Sequence, residues 1–315
     1  MPSAQDPVPH WVVPFAALGA EGQHPDWPAL PRLQALLPRL REQQRDRGEH
    51  TDPTLPHERA IAAARGLALA DHAWPGAALH SAQPHEPQAW VHPVHLQVGM
   101  DQVTLQPAEL FGLDEAASRR LFEAFAPLCA EDGLALHFDS PVRWRASGER
   151  LRGLRCASLD RVAGRSIAPW QPQGSEARWL QRLMNEAQML FYTHPVNDAR
   201  EAARQPAVNG LWFSAAGAVD AGVTPGPAPT VADDLRASAL GGDAAAWRAA
   251  WQALDARLVP ELQALAQQGR PFALTLCGER SAVTLQPHTP SPWQGLARAL
   301  GLARAPQVAE LLETL

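Results

Sequence analysis

The segment from Asn185 to Trp212 constrains the fold more than any other part of the chain. Apolar residues at helical spacing predict a helix over residues 176–192, which ends before a His-Pro pair. The apolar run over residues 207–214 predicts a strand. The chain therefore contains a helix–loop–strand unit of the kind from which α/β proteins are built.

Polar side chains are concentrated around the loop of this unit. Those that are candidates for a binding site are His194, Asn197, Arg200 and Asn209. Arg200 and Arg204 are four residues apart, so they could share one face of a short helix and bind an anion. Loops at strand ends are where α/β proteins place ligand sites. The alternative is that these side chains cap the helix and form surface ion pairs, and the residues alone leave both interpretations open.

The chain contains 27 arginines and no lysine. Without lysine, a phosphate-binding P-loop and Schiff-base catalysis are both excluded. The net charge is −6, and the sequence contains no block of basic residues. Both features argue against binding to nucleic acid or to an anionic membrane. No apolar run approaches the roughly 18 residues of a membrane span. The three widely spaced cysteines indicate neither a disulfide framework nor a thiolate zinc site, so we expect a cytoplasmic protein.

Strands alternate with helices at both ends of the chain, which predicts an α/β fold with a parallel, doubly wound sheet. We assign this core to residues 1–89 and 166–315, with a charged, polar loop over residues 41–53. Residues 244–268 are predicted as one long helix.

A smaller α+β domain is expected to be inserted at residues 90–165. Residues 90–105 have a strand–turn–strand pattern, and residues 114–131 form an amphipathic helix with Asp114 as its N-cap. Residues 134–145 and 151–156 are each predicted as a strand.

Two further motifs favour structural roles over chemistry. His92 and His95 are three residues apart, so on a strand their side chains point to opposite faces and do not share a metal. Cys277 ends an apolar strand, which favours buried packing over a nucleophilic role that would need a paired base and a lowered pKa.

The sequence HPVNDAREAARQPAVNGLWFSAAG, which begins at His194, resembles the motif HPxNxxRxxxGxxPANxIWxWGxG of archaeal-type cofactor-independent phosphoglycerate mutases. The residues that fall on its fixed positions are His194, Pro195, Asn197, Arg200, Asn209 and Trp212, and Pro206 lies one position before its second proline. The segment NEAQML with the following HPVN and AREA is also typical of RpfE-type bacterial regulatory proteins. The resemblance implies an alkaline-phosphatase-like core with an inserted domain.

The chain departs from the mutase pattern where that family binds its two metal ions through Asp and His. The first strand ends in VVPFAALGA without the expected acid, and the late Gly-Asp-His is replaced by Gly278, Glu279 and Arg280. Arginine cannot ligate a metal, because its guanidinium stays protonated and offers no lone pair. We therefore predict no catalytic residue, no metal and no other cofactor.

The sequence thus predicts a non-catalytic regulatory or anion-binding protein, that is, a pseudoenzyme whose ligand is a phosphorylated small metabolite. The predicted anion site comprises His194, Asn197, Arg200, Asn209 and Arg280, with Arg143 and Arg145 of the inserted domain as a second wall. The alternative is a metal-dependent, phosphoglycerate mutase-like phosphotransferase or phosphatase that binds Mn²⁺ or Zn²⁺ through Asp243, Glu279 and His288. A third interpretation is that some of the eleven tryptophans mark the surface for a protein partner.

Overall fold

A computed structural model describes residues 8–18, 27–69, 73–288 and 306–315. These residues form a mixed α/β fold with two multi-stranded sheets, which confirms the predicted α/β class. The strands are β1 (His10–Val13), β2 (Leu40–Arg47), β3 (Gln88–Val98), β4 (Val103–Pro107), β5 (Ala135–Ser140), β6 (Arg143–Ser147), β7 (Gly210–Gly217), β8 (Thr230–Val231), β9 (Ala273–Cys277) and β10 (Ser281–Pro287).

The helices vary from single turns to more than four turns. They are α1 (Pro31–Leu36), α2 (Pro56–Ala64), α3 (Gly76–Leu79), α4 (Ala108–Phe111), α5 (Glu115–Glu131), α6 (Leu159–Val162), α7 (Ala177–Tyr192), α8 (Pro195–Ala202), α9 (Arg236–Leu240), α10 (Ala244–Arg257), α11 (Val259–Gln267) and α12 (Val308–Leu312). The N-cap predicted for α5 is confirmed, since Asp114 Oδ1 accepts a hydrogen bond of 2.8 Å from the backbone N–H of Ala117. Within the described ranges, no helix is both long and apolar enough to cross a membrane.

The first sheet has the strand order β2-β10-β9-β1-β8. β1 is parallel to β8 and β9, whereas β10 is antiparallel to both β9 and β2. The sheet is therefore mixed, not wholly parallel as predicted. The loop predicted over residues 41–53 is also wrong in its first part, because these residues belong to β2. This edge strand exposes most of its side chains, so it lacks the apolar alternation by which a half-buried strand is recognised.

Helices cover both faces of the first sheet. Val13 and Leu274 belong to a core that also contains Trp251 of α10. Val12 and Cys277 point the other way and pack with Ile61 of α2. Neighbouring residues of β1 thus enter different cores, which explains why the strand is apolar from Trp11 to Val13.

The second sheet is antiparallel throughout, with the order β4-β3-β6-β5 and with β7 paired to β3. The strand–turn–strand pattern predicted for residues 90–105 is confirmed by β3 and β4. One face of this sheet contributes Val91, Trp144 and Phe213 to a core that also contains Phe125 of α5 and Leu183 of α7.

The chain divides into two compact units. The first unit comprises Met1–His50, Pro56–Gly66 and Gly226–Leu315, and the second comprises Thr51–Leu55 and Leu67–Pro225. These bounds differ from the predicted domains, which placed residues 67–89 and 166–225 in the core. The physical reason is that β7 pairs with β3 and that α7 packs in the same core as β7. The second unit is consequently not the smaller of the two.

Three local predictions also require correction. Residues 134–145 form the hairpin strands β5 and β6 instead of one strand. Residues 151–156 form no extended strand; Arg155 makes only an isolated bridge with Gln173. The long helix predicted over residues 244–268 is divided into α10 and α11, because Pro260 at the start of α11 cannot donate a helical hydrogen bond.

Candidate functional site

His194 follows the first helix of the signature segment and caps the start of a second. The predicted helix–loop–strand unit contains α8 within its loop, with His194 as N-cap and Pro195 in the first turn. His194 Nδ1 accepts a hydrogen bond of 3.2 Å from the backbone N–H of Val196, which requires that this nitrogen be unprotonated. Burial, with a smaller effect of Arg120, lowers the pKa of His194 below its ordinary value. The ring is therefore a helix cap in its neutral form.

Asn197 connects both ends of the segment through three hydrogen bonds to the backbone. Its Nδ2 donates to the carbonyl oxygens of Phe191 and Val208, each at 2.8 Å. Its Oδ1 accepts from the N–H of Val208, also at 2.8 Å. The side chain is buried, so these bonds replace hydration that the amide lost on folding. Asn197 thereby fixes the end of α7 against the approach to β7.

Arg200 is buried in the same way, with its guanidinium directed at carbonyl groups. Nε donates to Pro206 at 2.8 Å, Nη2 donates to Phe111 at 3.0 Å and Nη1 donates to Gly112 at 3.4 Å. The guanidinium also lies 5.3 Å from the centroid of the Phe111 ring. Burial lowers the pKa of Arg200, yet the group stays charged at neutral pH. All three of its nitrogens are thus engaged with the chain itself.

Asn209 extends the sheet just before β7 begins. Its Oδ1 accepts from the N–H of Leu96 at 2.6 Å, and its Nδ2 donates to the carbonyl of Leu96 at 2.9 Å. The next residue, Gly210, pairs with Val94 through the backbone. The Asn209 side chain therefore adds one step to the antiparallel ladder.

We call Asn197, Arg200 and Asn209 the backbone clamp. Their polar atoms could bind an anion only by giving up bonds to the backbone. Arg204 does not share a face with Arg200, because it lies beyond α8, is exposed and has a φ of +57°. Of the two interpretations that the sequence left open for this segment, the structure favours the structural one. His194 caps α8 as that interpretation expects, whereas the clamp residues bind backbone groups instead of forming surface ion pairs.

The other predicted site residues, Arg280, Asp243 and His288, lie in the first unit. Arg280 lies in the turn between β9 and β10, where its carbonyl accepts a hydrogen bond from Gly48 N–H. Asp243 caps α10 through a hydrogen bond from Ala246 N–H at 2.9 Å. His288 follows β10, and its backbone N–H donates to the carbonyl of Arg39.

The alternative metal ligands Asp243, Glu279 and His288 are not brought together. Across the described residues, no three His, Cys, Asp or Glu side chains form a group suited to a metal ion. Asp243 lies at the start of α10, and Glu279 lies in the turn between β9 and β10. Gly19 and Ala20, which end the segment where the first mutase ligand was expected, lie outside the described residues.

The two predicted arginines of the second wall, Arg143 and Arg145, line a cavity of about 750 Å³ in the second unit. The lining residues come from β3, β5, β6 and the chain before β3: His80, Ser81, Ala82, Gln83, Glu86, Gln88, Trp90, His137, Phe138, Asp139, Arg143 and Arg145. None of the backbone clamp residues is among them, and neither is His194. The volume is within the roughly 300–1,000 Å³ that is usual for small-molecule sites.

Strand alternation explains why this cavity is polar. Trp144 and Ala146 point into the core, so their neighbours Arg143 and Arg145 lie on the opposite face of the sheet. In the registers of the paired strands, Arg145 lies opposite both Trp90 of β3 and His137 of β5. One row of cross-strand neighbours thus forms the floor of the cavity.

Arg145 is held in a hydrogen-bonded network that fixes the cavity wall. Its Nη1 donates to Gln88 Oε1 at 2.9 Å, and its Nε lies 3.5 Å from Asp139 Oδ1. Gln88 Nε2 in turn donates to Ser81 Oγ at 2.6 Å and to the carbonyl of Gln83 at 3.1 Å. The segment before β3 is thereby tied to the sheet through Gln88.

Arg143 contrasts with its neighbour, because its guanidinium lacks both a hydrogen-bond acceptor and a carboxylate partner among the described residues. It stacks on the Trp90 indole, with 4.9 Å from Cζ to the ring centroid. Its Nε is shielded from solvent and unpaired. An anion that enters the cavity would therefore meet the Nη groups of an unpaired charge.

The sequence predicts Arg143 and Arg145 as site residues but not the aromatic and acidic residues of the same cavity. Trp90, His137 and Asp139 share the alternating pattern of β3 and β5, with polar or aromatic residues two apart. This alternation is the sequence feature that indicates which residues share a face of each strand. It predicts the cavity only together with the pairing of the three strands.

The other motifs have structural roles. His92 Nε2 is 2.9 Å from Ser214 Oγ, whereas His95 Nδ1 is 2.8 Å from the carbonyl of Ala207. The two histidines therefore have separate partners. Cys277 is fully buried, as predicted, and burial raises the pKa of its thiol.

Comparisons with known proteins show distant structural similarity at 11% sequence identity. No protein-family model matches the chain, and no curated protein matches it. A solved cofactor-independent phosphoglycerate mutase from Thermoplasma acidophilum is similar at 11% identity over 88% of this chain and 89% of that chain, with a TM-score of 0.33. The PH0037 protein from Pyrococcus horikoshii is similar at 11% identity over 89% of this chain and 87% of that chain, with a TM-score of 0.45. At these values neither likeness assigns a family or an activity.

Proposed function

We propose that the protein binds a small anionic metabolite in the cavity at Arg143 and does not transform it. The observation that carries this proposal is the unpaired Arg143 guanidinium, stacked on Trp90 in a cavity of metabolite size. A carboxylate or phosphate would supply the acceptors that Arg143 lacks. Hydrogen bonds to a charged group contribute about 1.5–3 kcal/mol each, which is enough to select an anion.

The neighbouring arginine supports the same site by a different role. Because Arg145 is paired with Asp139 and Gln88, it positions the wall and contributes little net charge. Arg143 and Trp90 are consequently the primary contacts of the proposal. The stacking on Trp90 restrains the guanidinium before a ligand arrives, which lowers the entropic cost of binding.

The non-catalytic part of the proposal rests on the signature motif. Its Asn197, Arg200 and Asn209 bind the backbone, and Glu279 and Arg280 stand where the mutase pattern has an Asp-His pair. The proposal also includes a regulatory role, kinship with RpfE-type proteins, phosphomutase ancestry and a cytoplasmic location. They derive from the motif and the composition.

Binding is tested by isothermal titration and thermal unfolding with phosphorylated and carboxylated metabolites. A ligand at 100 times its Kd should stabilise the protein by about 2.7 kcal/mol. Arg143→Met should abolish that stabilisation. Arg150→Met is the matched control, because Arg150 also stacks on a tryptophan, Trp179, but is ion-paired with Asp132 and Glu176 outside the cavity. Equal binding by wild type and Arg143→Met would contradict the site.

Turnover is tested separately with phosphoglycerate and a phosphatase substrate in the presence of Mn²⁺ or Zn²⁺. The proposal predicts no turnover above a boiled control. Robust activity that a chelator abolishes, together with stoichiometric metal in the purified protein, would establish the metal-dependent alternative instead.

A further inference from the structure

The same cavity contains an unpaired negative charge beside the unpaired positive one. Glu86 lines the cavity, and its carboxylate forms no hydrogen bond or ion pair with the part of the chain that the structure describes. Its backbone N–H donates to the carbonyl of Gln83, which holds the residue in a turn before β3. Glu86 is partly buried.

Glu86 and Arg143 both line the cavity and form no direct ion pair with each other. The other charged pair of the cavity, Arg145 and Asp139, is already joined. The charges left for a ligand are therefore one guanidinium and one carboxylate, at separate positions on the wall. Both groups line the same cavity, which has a volume of about 750 Å³.

A purely anionic ligand fits this distribution less well than a ligand with both charges. An anion at Arg143 would gain one charge-assisted contact but would leave Glu86 unpaired nearby. A ligand with an ammonium group as well could satisfy both side chains. The aromatic rings of Trp90 and His80, whose centroids are 5.2 Å apart, add an apolar surface for the part of the ligand between its charged groups.

We propose that the ligand is a zwitterion of the amino-acid class, with its carboxylate or phosphate at Arg143 and its ammonium at Glu86. This inference rests on the proposed function, because it assumes that Arg143 binds the anionic group. It adds Glu86 as the residue that determines specificity.

The test uses pairs of probes that differ only in the ammonium group. Phosphoserine differs from phosphoglycerate by an ammonium in place of a hydroxyl, and glutamate differs from glutarate by an ammonium in place of a hydrogen. We expect the aminated member of at least one pair to bind about ten-fold more tightly or better, as measured by isothermal titration. Equal affinities within every pair that binds would overturn the inference.

Substitution of Glu86 separates this inference from the proposed function. Glu86→Gln should remove the preference for the aminated probe and leave the binding of phosphoglycerate or glutarate intact or stronger. Glu123→Gln, at an exposed position of α5, makes the same change of charge outside the cavity and should leave the preference unchanged. A preference that persists in Glu86→Gln would also overturn the inference.

The outcomes remain distinguishable from failure of the site itself. If anionic probes bind and Arg143→Met abolishes their binding, but the ammonium has no effect, the proposed function stands and the zwitterion inference fails. If no member of either pair binds, both fail together.

Discussion

The backbone clamp and the cavity both contain a partly or fully buried arginine, but the arginine of the clamp is hydrogen-bonded and Arg143 of the cavity is not. Arg200 directs all three of its nitrogens to carbonyl groups of its own chain. Arg143, in the same unit, stacks on an indole and has no acceptor among the described residues. The motif that is most prominent in the sequence is therefore structural, whereas the less conspicuous arginine has an unpaired charge. A polar residue in a signature motif indicates binding only if its polar atoms remain unsatisfied.

The largest effect is expected from Asn197→Ala. The substitution leaves the buried carbonyl and N–H of Val208 without their side-chain partner, and it removes one of the donors to the Phe191 carbonyl, which still accepts from the N–H of His194. Each unsatisfied group costs about 1–3 kcal/mol. Since such costs are not additive, we expect a loss of about 3–5 kcal/mol in the free energy of unfolding. Denaturant unfolding measures the loss, and hydrogen exchange of the Val208 amide should lose its protection at the same time.

Asn185→Ala is the control for that prediction. Asn185 is exposed on α7, so its replacement should change the stability by no more than about 0.5 kcal/mol. Similar, small losses in both variants would contradict the assignment of Asn197 to the clamp.

Arg200→Met should have the next largest effect, at about 2–4 kcal/mol, because three carbonyls lose a charged donor while the methionine keeps much of the apolar contact. Arg204→Met, four residues later at an exposed position, should be close to neutral. Calorimetric or denaturant unfolding compares the two. If Arg200→Met were as stable as Arg204→Met, Arg200 would not hold the joint between α8 and the Phe111–Gly112 turn.

A smaller effect is expected from the titration of His194. Its folded pKa is lowered, mainly by burial, so the folded protein resists the proton that the unfolded chain accepts as the pH falls below about 6.5. The stabilisation is present above that pH and is lost as the pH falls through the lowered folded pKa. His194→Asn keeps an N-cap that does not titrate. Between pH 7.5 and 5.5, we therefore expect the variant to lose less stability than the wild type; an equal loss in both would contradict the role of the neutral ring.

The elements that the sequence predicted well have local signals. The helix α5 follows from its apolar spacing and the Asp114 cap, and the β3–β4 hairpin follows from its alternation. The strand β2 was missed because its stability comes from backbone pairing at a sheet edge. The bounds of the second unit were missed because β7 pairs with β3 across more than 100 residues of sequence, which no local pattern records.

The candidate site was only partly predictable for the same reason. The sequence predicted Arg143 and Arg145, but it placed them in one site with the clamp residues. In the structure, the clamp residues do not line the cavity. Glu86 and Trp90 join the arginines through a turn and the pairing of β3 with β6. The unsatisfied state of Arg143 is a property of its surroundings, so the residue type alone could not indicate it.

One measurement tests the contrast between the two arginines most directly: the thermal unfolding of Arg143→Met and Arg200→Met, each without ligand and with phosphoserine. We predict that Arg143→Met unfolds like the wild type without ligand and gains no stability from phosphoserine. Arg200→Met should be destabilised without ligand but should keep the gain. The opposite pattern, in which Arg143→Met is destabilised and still responds to the ligand, would contradict the assignment of the binding site to the cavity.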